Sequence, residues 1–192
     1  MRQIAFAVTR LLLENKIIGK EDEEVYAYGL QLILNSGTTM VVIIGISLLT
    51  RQFGLTAIFL IALSSIRHYI GGYHANSYLK CFCISCMSYI GMLIIVHYIS
   101  PLLSMEVPLI GSWLINGYLL YKGSLNSEKN PKTIEEMKKR KIISRCLTLL
   151  YSSIITILYS CGCVMPKIIW LLFYVQAITA LGLVVVKRQR RH

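Results

Sequence analysis

Charge is what this chain has least of. Only 15% of its 192 residues are Asp, Glu, Lys or Arg, against roughly 25% in ordinary soluble domains. Hydrophobic residues make up 55%, and the mean hydropathy is +0.61, more than a surface facing water can carry. Long polar stretches are also missing. The longest, residues 122–145, is too short for a soluble domain, and there is no internal repeat or low-complexity region. A nucleotide-binding motif and an inverted repeat are both absent, which counts against a transporter. An uninterrupted apolar run near the start is missing too. Arg2, Arg10 and Lys16 break it, and the Glu21-Asp22-Glu23-Glu24 run follows without a small-residue cleavage site. A secretory signal is therefore not expected, and the segment should stay attached.

What is present is a series of apolar stretches. A helix needs about 20 mostly apolar residues to cross a hydrocarbon core of about 30 Å, because every backbone N–H and C=O must be satisfied within the segment. Six stretches are expected to cross: residues 26–50, 53–70, 79–100, 107–121, 142–161 and 167–186. The second reaches spanning length only by taking in Arg67 and His68, and ionisable groups at such depth normally face protein or water. Ahead of these, Ile4, Val8, Leu11, Leu12 and Ile18 share one face of residues 2–18, the pattern of an amphipathic helix lying in the membrane interface. The expectation is an all-α polytopic membrane protein, one integral membrane domain over residues 1–192.

Basic residues set the orientation. With the N-terminus inside, 18 of the 20 Lys and Arg fall on the cytoplasmic side and only Arg51 and Lys167 outside, as the positive-inside rule requires. Both termini are expected to be cytoplasmic. The net charge of +11 then needs no nucleic acid to explain it, since anionic lipid and topology account for the placement. Residues 122–145 read as a basic cytoplasmic loop with a short helix over 134–141.

Chemistry has to come from polar residues at the membrane face, and these concentrate in the loop 67–81. It holds Arg67, His68, Gly71, Gly72, Tyr73, His74, Asn76, Lys80 and Cys81. Gly71 and Gly72 permit a tight or left-handed turn that returns the chain, so that His74 and the start of the third span can meet at one depth.

Six cysteines admit three readings. Stable disulfides are disfavoured, because Cys81, Cys83 and Cys86 lie at or below the cytoplasmic face, where thiols stay reduced. A metal site built from these three with His68 and His74 has suitable ligand types. However, Cys81 and Cys83 diverge by about 200° around a helix, so one segment cannot aim all three at one ion, and no metal is expected. The third reading is a single nucleophile among packing residues. Cys81 follows Lys80 in the first turn of its helix, where the positive end of the helix dipole and the ammonium favour a thiolate. Cys83, Cys86, Cys146, Cys161 and Cys163 read as small packing residues. His74 supplies what a Cys nucleophile lacks, an imidazole that takes the thiol proton and returns it to a leaving amine. His97 and His192 are badly placed for this, and His68 is a weaker rival.

Arg67, Gly71-Gly72, Tyr73, His74-Ala75 and Cys81, with six residues between His74 and Cys81, resemble the signature of the accessory gene regulator B (AgrB) family of bacterial membrane endopeptidases. The resemblance runs from the amphipathic start through Tyr28-Gly29-Leu30 to the basic loop around Glu128-Lys129-Asn130-Pro131. It implies Cys81 as nucleophile and His74 as base, with Arg67, Gly71, Gly72 and Lys129 in supporting or substrate-binding roles. It further implies a six-helix fold acting as a homodimer in the cell membrane, no cofactor, and an AgrD-like quorum-sensing propeptide as substrate. Cleavage would pass through a thioester on Cys81, which an internal Cys or Ser of the peptide resolves into a thiolactone or lactone ring. Arg67 reads equally as a carboxylate-binding group, a brace for the loop, or a snorkelling cytoplasmic anchor. Two other classes of function remain open: an exporter of the peptide, and a non-catalytic sensor subunit. Only the enzyme requires Cys81 and His74 together while tolerating loss of the other cysteines.

Overall fold

Runs of apolar residues without interior proline settle into helices, since in lipid only an intrahelical ladder satisfies every backbone group. The computed structural model describes residues 2–70, 78–122, 134–162 and 166–189, and every regular element among them is helical. The elements are α1 (Arg2–Glu14), a 3-10 turn (Lys20–Asp22), α2 (Glu23–Thr50), α3 (Phe53–Ile70), α4 (Tyr78–Ile94) continued by a π-helical turn (Ile95–Ile99), α5 (Glu106–Lys122), α6 (Ile134–Ser160) and α7 (Pro166–Gln189).

Four stretches are long and apolar enough to cross a membrane: Lys20–Thr50, Leu79–Ile99, Glu135–Ser160 and Pro166–Val186. The expected count of six is not reached on length and hydropathy. Phe53–Tyr69 of α3 is apolar but short, and α5 has 17 residues, which at 1.5 Å each gives roughly 26 Å.

The chain divides into two compact units. The first comprises residues 1–51 and 75–87, and in it α1 packs on α2. The contact uses small residues: Ala5 and Thr9 are buried, while Ile4, Val8 and Leu11 stay exposed. Hence the apolar face expected from the sequence is not the packed one, apart from Ile18. Small side chains let two helices approach closely, and larger apolar ones lose nothing by facing lipid. At the end of α1 the Ile17 N–H donates to Leu12 O and the Lys16 N–H to Leu13 O, with Lys16 left-handed at φ 55°. That double closure is a Schellman stop, so the helix ends at Glu14 short of Ile18.

The second unit comprises residues 52–74 and 88–192. Here α6 and α7 form the centre, packed on each other and on both α3 and α5. Phe59 lies between two tyrosines, with ring centroids 5.8 Å from Tyr89 and 6.5 Å from Tyr174. Two glycines set the spacing. A Cβ on Gly91 would stand 2.7 Å from the Tyr174 hydroxyl, and one on Gly111 2.6 Å from Phe173 Cε2. The continuous α6 corrects the expectation of a loop with a separate short helix over 134–141. No Gly or Pro interrupts residues 134–160, and Glu, Met, Lys and Arg are good helix formers, so the basic stretch extends the apolar helix without a break.

Candidate active site

Cys81 lies in the first turn of α4 and is half-buried; Lys80 before it is exposed. At about 100° per residue, Ser85 and Ser88 fall on nearly the same face as Cys81. Cys83 points almost oppositely and is exposed, and Cys86 lies well off the Cys81 direction. Cys83 and Cys86 thus lie within about 60° of each other, and Cys81 stands apart from both. Among the described residues no three His, Cys, Asp or Glu side chains are grouped as a metal would require. All five described cysteines carry free thiols.

Arg67 occupies the last turn of α3, half-buried and with a partner of its own. A cation there complements the negative end of the helix dipole. His68 beside it is exposed and meets the Tyr69 ring edge-on, 4.9 Å between centroids. Arg67 belongs to the second unit and Cys81 to the first, so the two are not brought together within one unit. Gly71, Gly72, His74 and Lys129 lie outside the described residues. His97, in the π-helical turn, has its Nδ1 3.1 Å from Leu93 O, the local contact of a helix-packing residue.

Within the second unit, the part of α4 from Ser88 onward is held by hydroxyl groups. The Tyr174 hydroxyl donates to Ser88 O at 2.9 Å. Thr56 spends its only hydroxyl proton on Gln52 O at 2.9 Å. The 2.7 Å contact between Thr56 Oγ1 and the Tyr89 hydroxyl therefore has tyrosine as donor. By the same count, Ser65 donates to Ile61 O and accepts from the Tyr151 hydroxyl at 2.7 Å.

Sequence reasoning missed a second polar group. Ser112 and Asn116 on α5, Thr148 and Ser152 on α6, and Gln176 on α7 are all buried. The signal was available as polar pairs four apart inside apolar stretches, which places them on one helical face.

The accessory gene regulator B family profile matches residues 6–182. The chain is also similar to the accessory gene regulator protein B of Staphylococcus saprophyticus subsp. saprophyticus, 30% identical over 125 residues. That stretch covers 64% of this chain and 64% of the relative's length. No solved structure matches.

Proposed function

The chain belongs to the accessory gene regulator B family, and on that premise we propose that it is a membrane-embedded cysteine endopeptidase acting on an AgrD-like quorum-sensing propeptide. The observation that carries the reading is Cys81 itself: a free, half-buried thiol in the first turn of an apolar helix, seven positions after His74. That setting provides a nucleophile at the membrane face, and the sequence provides its base.

In this reading His74 takes the proton from the Cys81 thiol, and Sγ attacks the carbonyl carbon near the C-terminal part of the propeptide. The C–N bond breaks as the imidazolium returns the proton to the departing amine, leaving a thioester on Cys81. A Cys thiol or Ser hydroxyl within the peptide then gives its proton to the now neutral His74 and attacks the same carbonyl. The C–Sγ bond breaks, the thiolate of Cys81 is regenerated, and a thiolactone or lactone ring leaves. Water must be kept from the thioester for the ring to form. Cyclisation therefore favours a nucleophile sited at the membrane over one in open solvent.

The same reading has α2 to α7 all crossing the cell membrane, with both termini and the loop 67–81 inside. The short α3 and α5 are accommodated by local thinning of the bilayer and by snorkelling of flanking residues. The protein acts as a homodimer without metal or cofactor, with α1 in the lipid interface and Arg67, Gly71, Gly72 and Lys129 supporting the loop and the substrate. The test is processing of a tagged propeptide by the protein in liposomes. Cleavage that needs Cys81 and His74 together, and none of the other five cysteines, is the expected result; cleavage that persists without Cys81 would contradict the reading.

A further inference from the structure

Hydrogen bonds tie α5, α6 and α7 together at one level. Gln176 Nε2 donates to Thr148 O at 3.3 Å and to Ser152 Oγ at 3.1 Å, and Ser152 Oγ donates onward to Ser112 O at 3.4 Å. Asn116 sits one turn from Ser112 on α5, as Thr148 does from Ser152 on α6. Asn116 is 1% exposed and Gln176 0%. The accounting does not close, however. Both hydrogens of Gln176 Nε2 are used, but its Oε1 has no partner, and neither Asn116 Nδ2 nor Asn116 Oδ1 has one. Two amide hydrogens and two carbonyl-type oxygens are thus left over in one buried layer. Among apolar helices of a membrane protein, groups of this kind are rarely left unmet.

The polar layer lies among apolar neighbours on both sides: Ile155, Leu171, Val175 and Leu183 are fully buried with it. Large apolar side chains such as Ile110, Leu114, Ile157 and Leu181 are exposed on the outside of these helices, while the polar residues face inward. Solvation by lipid explains the outside and does nothing for the amides inside.

We propose that the Asn116–Gln176 layer is a binding site, within the membrane-embedded helices, for a small neutral group that both donates and accepts hydrogen bonds, the chemistry shared by water and by a peptide amide. A group of this type accepts from Asn116 Nδ2 and donates to Gln176 Oε1 or Asn116 Oδ1, which closes the count on both sides. A neutral ligand fits because, among the described residues, no Lys, Arg, Asp or Glu is buried to balance a charge there. The site goes beyond the proposed peptidase reaction and does not depend on it, and its test needs no propeptide.

The test uses the whole protein in lipid bilayers with 15N-labelled Asn and Gln, and reads magnetisation transfer from water to the Asn116 side-chain NH2. The resonance is identified by its loss in Asn116→Leu. Transfer from water is expected. N-methylacetamide is then added as a secondary-amide probe. Transfer that persists unchanged assigns the site to water, and transfer that falls as the probe shifts the resonance assigns it to amides; both support the proposal. If the NH2 group receives no magnetisation from water and does not respond to the probe, the amides have closed on each other and the proposal fails. Thermal unfolding gives an independent reading. Asn116→Leu should lower the midpoint by leaving the bound group and Gln176 Oε1 unmatched, whereas in a dry layer, where the Asn116 side chain has no partner, leucine would raise the midpoint.

Discussion

At the scale of single residues, the reading rests on the difference between a nucleophile and its base. Cys81→Ala removes the atom that is acylated, so cleavage should vanish in a protein that still inserts. Cys81→Ser should fail nearly as completely, since a hydroxyl beside one imidazole is a far weaker nucleophile than a thiolate. His74→Ala leaves the thiol and removes proton transfer, a loss of roughly 10²- to 10⁴-fold. Cys83→Ala should keep its activity, because Cys83 is exposed on the side of α4 away from Cys81. Propeptide cleavage followed on gels checks all four, and an inactive Cys83→Ala would count against the assignment. The proposed nucleophile could be put forward from sequence because its reasons are local: a thiol, an adjacent ammonium, a helix start. The buried amides of Asn116 and Gln176 could not, because their importance comes from which helices pack together, and hydropathy averages them into the apolar stretches around them.

Elements were legible where apolar runs are unbroken and misread where polarity and helicity part company. The extent of α6 is the clearest case. Its charged first turns read as a short helix inside a loop, over 134–141, yet the backbone continues from them without a break to Ser160. At 27 residues the helix is roughly 40 Å long and exceeds a hydrocarbon core of about 30 Å. The exposed Lys138, Lys139 and Lys141 and half-buried Arg140 thus stand on a rigid extension. Neutralising these four together to Gln should weaken binding of an acidic peptide, with an effect that shrinks as salt is raised. Binding to liposomes at two ionic strengths checks this, and equal binding by both proteins at low salt would contradict it. Helix spacing gives a second prediction. Gly111→Ala drives a methyl group into the Phe173 ring and should destabilise by about 1–3 kcal/mol, the usual effect of overpacking. Gly117→Ala, where a Cβ meets nothing within 4 Å, should be neutral or slightly stabilising through helix propensity. Thermal unfolding of the two variants in detergent makes the comparison.

For the whole molecule, the solvent decides what a sequence pattern means. The buried Ala5 and Thr9 of α1, and the exposed Ile4, Val8 and Leu11, invert the rule that apolar faces pack inward, because lipid accommodates an isoleucine as well as a protein core does. The proposed topology rests on the asymmetry of basic residues, and it predicts that single cysteines placed in residues 122–145 or after Val186 resist an impermeant thiol reagent in intact cells. Labelling at either place would contradict a cytoplasmic location. The central claim is a covalent one, that the peptide chain passes through Cys81. The most direct measurement is mass spectrometry of the purified protein, acid-quenched soon after mixing with propeptide. The expected adduct adds the mass of the N-terminal peptide fragment less one water, maps to Cys81 and is released by hydroxylamine as a thioester should be. An adduct on Cys83 or Cys86, or cleaved propeptide from a protein whose Cys81 is never acylated, would contradict the claim.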